Sequence, residues 1–112
     1  MSDVDDFQSK LKVLHDDYAA HLPEKLEQIE QAWSRLPRRE WDDAGFQSLH
    51  RMVHSLTGSG KIYGFASLSD VASNLEECLN LLAQKKAIPG AEQRNRIQIF
   101  LHDLRRAMTQ VV

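Results

Sequence analysis

Apolar residues recur along the chain at steps of three and four, the repeat of an α-helix, in successive stretches divided by short polar or proline-bearing segments. In the first stretch Phe7, Leu11, Leu14, Tyr18, Leu22, Leu26, Ile29, Trp33 and Leu36 hold one stripe for about eight turns. Polar residues such as Lys10, Asp16, Glu24 and Gln28 fill the remaining positions. Pro23 interrupts this, because it has no N–H to donate and crowds the preceding turn. The pattern predicts one kinked helix, or two nearly collinear helices divided near His21 with Pro23 in the first turn of the second. Pro37 ends the stretch, and Arg38, Arg39 and Glu40 make a polar turn.

The second stripe is Phe46, Leu49, Val53, Leu56, Gly60 and Tyr63. Asp42 is its expected N-cap, Trp41 and Phe46 have the spacing of a hydrophobic staple, and Gly64 suits a left-handed stop. The third stripe is Leu68, Val71, Ala72, Leu75, Leu79 and Leu82, with Ser67 and Asp70 as a capping-box-like start and Gln84-Lys85-Lys86 as its end. Pro89 is expected in the first turn of a last helix that turns Ile97, Phe100, Leu101, Leu104, Met108 and Val111 inward. There is no period-two run of β-branched residues, no hairpin dipeptide and no internal repeat. The chain therefore reads as all-α, an antiparallel four-helix bundle with a short or kinked additional helix allowed at the N-terminus.

Length and composition narrow this further. A chain of 112 residues supports one core, so residues 1–112 are read as a single domain, too small for an enzyme with a cleft between lobes. Its 42% hydrophobic and 27% charged content separates it from disordered chains. A net charge of −2 argues against a dedicated nucleic-acid binder. Cys78 is the single cysteine and cannot form an internal disulfide, which fits a reducing cytoplasm. No apolar run reaches the roughly 18 to 20 residues that span a bilayer, and the acidic opening Met-Ser-Asp-Val-Asp-Asp lacks the regions of a signal peptide. A cytoplasmic protein without membrane contact is expected, standing alone or forming part of a longer chain. The largely polar outer faces point to a monomer.

The chemistry gathers on the second stripe's helix. His54 directly follows the apolar Val53, which sets it about 100° round the helix, beside the buried face but outside it. His50, Thr57, Gly58 and Lys61 share its side. Gly58 costs roughly 1 kcal/mol relative to alanine in a helix, and Gly60 repeats that cost. The expectation is that both positions need bare space, one beside the imidazole and one where another helix packs closely.

Taken together, His54, Leu56, Gly58, Gly64, Leu68, Leu75 and Glu76 resemble the signature of histidine-containing phosphotransfer (HPt) domains. That pattern runs H-x-L-K-G, a glycine ten residues after the histidine, a leucine four later, then a Leu-Glu pair, and it fits here without a gap. The departure is Thr57, which stands where the family usually has lysine. The resemblance implies a four-helix bundle with a reactive histidine projecting from one helix. It makes His54 the phosphoacceptor of a phosphorelay, taking a phosphoryl group from a receiver-domain aspartate or a histidine kinase and passing it on. Such a protein is a relay without catalytic activity of its own. A neutral imidazole nitrogen attacks phosphorus and yields a labile product, provided that a neighbour holds the second nitrogen. The resemblance makes Glu76 that neighbour and turns Leu75 into the core. On the residues alone, Glu76 also reads as a solvated helix-face carboxylate.

The arriving phosphoryl group is anionic, so a nearby cation should favour it. Thr57 offers only a hydroxyl. Lys61, two turns on, or Arg51, one turn back, would replace the missing lysine, with Lys61 preferred. Partners would dock over His50, Ser55, Gly58 and Ser59. No cofactor is expected in the chain, and Mg²⁺ only in the partner receiver domain. Gly58-Ser59-Gly60-Lys61 resembles part of a phosphate loop but falls inside a helix and lacks the preceding strand. His50 and His54 have the spacing of two metal ligands, but no second pair matches them, and His15, His21 and His102 are scattered. Trp33 and Trp41 are expected to pack near the bundle ends. The competing function is a helical adaptor that docks signalling partners without transferring phosphoryl groups, with Thr57 as the trace of lost activity.

Overall fold

The computed structural model describes residues 3–109 and resolves them into α1 Asp3–Ser34, α2 Asp43–Ile62, α3 Ala66–Lys85 and α4 Ala91–Thr109. There is no strand among the described residues, and Val111 lies outside them. The result is an all-α four-helix bundle. Its core is built from Leu22, Leu26 and Ile29 of α1, Phe46, Leu49 and Val53 of α2, Leu68, Leu75 and Leu79 of α3, and Ile97 and Leu104 of α4. Ala107 joins the buried set, although its small side chain gave no signal in the sequence.

The boundaries of α2 follow the sequence. The Asp42 carboxylate accepts from the Gly45 N–H at 3.1 Å, and the Trp41 and Phe46 rings lie 4.6 Å apart. Gly64 takes a φ of +90° just beyond the helix, a conformation that costs glycine little. Trp41 and Trp33 are both half-buried against the core.

α1 continues through Pro23 as a single helix. Proline inside a helix costs about 3 kcal/mol. Leu22, Leu26 and Ile29 are buried on one face across it, and that packing outweighs the lost hydrogen bond. The stripe predicted for α1 is nevertheless only partly core. Phe7, Leu11 and Leu14 are 62%, 47% and 48% exposed, and burial begins at Tyr18. Helix length explains the difference. α1 has 32 residues against 20, 20 and 19 in the others. At 1.5 Å per residue it runs about 48 Å against about 30 Å, and so overshoots the bundle.

Two predicted helix starts are also corrected. α3 begins at Ala66 with Phe65 as its cap and no side-chain capping bond, so Ser67 and Asp70 do not form the expected box. The cause is the tight connection through residues 63–65. The Phe65 N–H donates to the Gly60 carbonyl at 2.7 Å while its ring is buried, which turns the chain before Ser67. Pro89 lies before α4 rather than in its first turn. Gly90 is the capping residue: its carbonyl accepts from the Arg94 N–H and its N–H donates to the Gln93 side chain, each at 2.9 Å. A Pro89 start would have left Ile88 as the cap, with no side-chain acceptor to offer.

α1 packs on α2 and α4, and α3 packs on α2 and α4, but α1 and α3 do not meet. The most extensive packing is between α2 and α3. The outer side of this α2–α3 pair is therefore free of α1.

Candidate functional site

His54 projects from α2 onto that open side. Val53 before it and Leu56 after it are buried and fix the rotation of the helix. On α3, burial of Leu75 does the same for Glu76. The short 63–65 connection returns α3 antiparallel, which brings the two residues level. His54 Nδ1 lies 2.7 Å from Glu76 Oε2. The two side chains differ in exposure, 72% for His54 against 16% for Glu76. An ionised carboxylate can only accept, so the proton sits on Nδ1 and the Nε2 lone pair faces solvent. A sheltered anion on one nitrogen also stabilises the ring as positive charge develops on it.

The sequence singled out several neighbours, and the structure distributes them unevenly. The Thr57 hydroxyl donates to the Val53 carbonyl at 3.1 Å and so is turned along its own helix. Lys61 and Arg51 are exposed and form no ion pair among the described residues. Lys61 lies about 10 Å along the helix axis from His54. Arg51 borders a depression of about 290 Å³ with Lys25, Gln28 and Ser55. His50 is half-buried, its ring nearly parallel to that of His54 with centroids 6.3 Å apart. Its Nε2 is enclosed with no hydrogen-bond partner among the described residues. A hydrogen on that nitrogen would go unsatisfied, which favours the Nδ1–H tautomer.

Ser55 is exposed, whereas Ser59 belongs to another face. The Ser59 oxygen lies 2.7 Å from the Tyr18 hydroxyl and donates to the Ser55 carbonyl, so it is held beneath α1. Burial pushes the Tyr18 phenol up from its ordinary value, the Ser59 hydrogen bond opposes this and Tyr63 adds to it. The spatial expectations for the glycines are met only in part. A methyl at Gly58 would touch nothing within 4 Å, so the bare surface beside His54 is open to solvent rather than required by the fold. A methyl at Gly60 would sit 3.4 to 3.5 Å from Phe65 and Ser69, an ordinary contact with the start of α3.

Three contacts under the site were not singled out from the sequence. The buried Ser69 hydroxyl donates to the Thr57 carbonyl at 2.6 Å and ties α3 to α2 one turn beyond His54. His15 places Nδ1 2.7 Å from the Tyr63 carbonyl and stacks its ring on Phe65, with centroids 4.5 Å apart. Tyr18, read only as a stripe member, stacks on Tyr63 at 4.9 Å. α1 therefore clamps the connection that sets the His54–Glu76 register. Among the described residues no group of His, Cys, Asp and Glu side chains is arranged to hold a metal ion.

A family model described as Hpt domain matches residues 13–111. No curated protein and no solved structure matches the chain.

Proposed function

Since the chain belongs to the Hpt domain family, whose members are histidine phosphotransfer intermediates of phosphorelays rather than classical enzymes, we propose that His54 is its phosphoacceptor. The Nε2 lone pair attacks phosphorus, the bond from phosphorus to the donor oxygen breaks, and the donor carboxylate leaves with that electron pair. Where a kinase phosphohistidine is the donor, the bond broken is phosphorus to nitrogen. The ring becomes a phospho-imidazolium that keeps its Nδ1 hydrogen, and Glu76 bears the complementary charge. Onward transfer to an acceptor aspartate reverses these steps. The observation that carries this reading is the His54–Glu76 hydrogen bond, which leaves Nε2 as the free, exposed nitrogen.

Hpt domains interact with receiver domains and histidine kinases. In this chain the partner would dock across His50, His54, Ser55 and Gly58. The receiver domain brings the Mg²⁺, and Lys61, in preference to Arg51, supplies the cation that Thr57 does not. In this reading residues 1–112 form one domain that works in the cytoplasm; no described helix is long and apolar enough to cross a membrane.

The test is transfer from a panel of phosphorylated receiver domains to the wild type and to His54→Gln. An acid-labile, alkali-stable phosphoprotein that disappears in the variant is the expected result. Transfer that survives in His54→Gln would refute the assignment. A folded wild type that accepts from no receiver would favour the adaptor reading.

A further inference from the structure

The part of α1 that overshoots the bundle has a regular apolar edge that nothing among the described residues covers. Val4, Phe7, Leu11 and Leu14 are 61%, 62%, 47% and 48% exposed, and they follow one another at steps of three, four and three. This is the seam spacing of paired helices. The Hpt domain match begins at residue 13, so most of this edge lies outside the part of the chain that the family shares.

We propose that the overhang is a self-association surface, on which the first turns of α1 from two copies pair antiparallel. The register follows from the positions themselves. Setting Val4 of each copy against Leu14 of the other sets Phe7 against Leu11, and every seam residue then has an apolar partner. A two-fold interface needs a patch complementary to itself, and this one is symmetric about its centre. A half-exposed Val, Leu or Phe presents on the order of 100 Å², so each copy offers roughly 400 Å², the size at which an apolar patch marks an interaction site. With the flanking residues, pairing encloses on the order of 1,000 Å² in total, the lower bound for a specific interface. The dimer is therefore weak and reversible.

The polar side of the overhang argues against other occupants. Lys10 pairs with Asp6 at 3.5 Å and Lys12 with Asp16 at 3.6 Å, so its charges are already matched within the helix. Asp5 leaves an acidic excess on the overhang that anionic lipid would repel. Antiparallel pairing sends the two bundles to opposite ends of the paired helices, which leaves both His54 faces open. The monomer expected from the sequence rested on largely polar outer faces, whereas this edge of α1 is apolar and exposed.

Sedimentation equilibrium of the full chain from about 10 µM to about 1 mM tests the surface. The weight-average mass should climb from 12.8 kDa towards twice that value. It should stay monomeric in Phe7→Glu/Leu11→Glu, with the wild-type helical spectrum and melting temperature retained. A wild-type mass that stays flat overturns the proposal, and so does a double variant that still dimerises. For the register, Val4→Cys with Leu14→Cys in a Cys78→Ser background should form an interchain disulfide, while Val4→Cys alone should not. Cross-linking by the single variant would mean parallel pairing and would overturn the arrangement.

Discussion

At the scale of single residues, the proposed transfer rests on the His54–Glu76 pair, whose 2.7 Å hydrogen bond leaves Nε2 free. Hydrogen bonds to charged groups contribute about 1.5–3 kcal/mol, so Glu76→Ala should slow single-turnover transfer from a phosphorylated receiver roughly 10- to 100-fold. An unchanged rate would show that Glu76 only decorates the helix. Gly58→Ala separates fold from docking. Its methyl meets nothing, so the melting temperature should rise by the equivalent of about 1 kcal/mol, while receiver-dependent transfer falls. Tyr18 gives a pH signature. Burial holds its phenol above the ordinary value of 10.0, so the neutral form is the one favoured by folding. That stability is fully present below pH 10 and is lost as pH rises through the raised value. Tyr18→Phe should flatten this alkaline fall in denaturation experiments, and at neutral pH should lose about 1 kcal/mol with the Ser59 hydrogen bond. Little of this was legible in advance. Glu76 could be set against His54 only through the family signature, because spacing alone leaves a helix-face carboxylate with nothing to face. The polar contacts of Ser69, Tyr18 and His15 join residues 12, 41 and 48 positions apart, and no local pattern encodes such distances.

At the scale of elements, the sequence specified α2 best because its signals agree: a capping aspartate, a staple, a clean stripe and a terminal glycine. It misplaced the start of α3, where the cap depends on the tertiary burial of Phe65, and that of α4, where the local reach of Gln93 to Gly90, rather than Pro89, sets the start. α3 also ends against local preference. Lys86 takes a φ of +46°, and Ala87 N–H closes on the Leu82 carbonyl at 3.1 Å. A left-handed backbone costs a non-glycine residue roughly 1–2 kcal/mol. Glycine's extra freedom in the unfolded chain offsets part of any gain. Lys86→Gly should therefore stabilise the protein by about 0.5–1 kcal/mol in chemical denaturation, without altering transfer.

For the whole molecule, the mismatch in helix length matters most. Periodicity is indifferent to whether a partner helix extends far enough to cover a stripe, so Phe7, Leu11 and Leu14 look like core in the sequence and stand clear of it in the fold. Removing residues 1–12 should leave the melting temperature of a dilute sample within about 3 °C of the full chain, because burial in the bundle starts at Tyr18. A larger fall would mean that the overhang supports the bundle in a way its exposure does not suggest.

The three-residue connection between α2 and α3 also bears on how the His54–Glu76 pair comes into being. His54 and Glu76 are only 22 residues apart, on neighbouring helices that share the largest interface in the molecule. Closing so short a loop costs little entropy, which favours this hairpin as the nucleus of folding. Leu75→Ala should then slow refolding, while Leu26→Ala should mainly speed unfolding. α1 would be among the last helices to find its place, docking with His15 and Tyr18 onto a histidine–carboxylate pair that has already met.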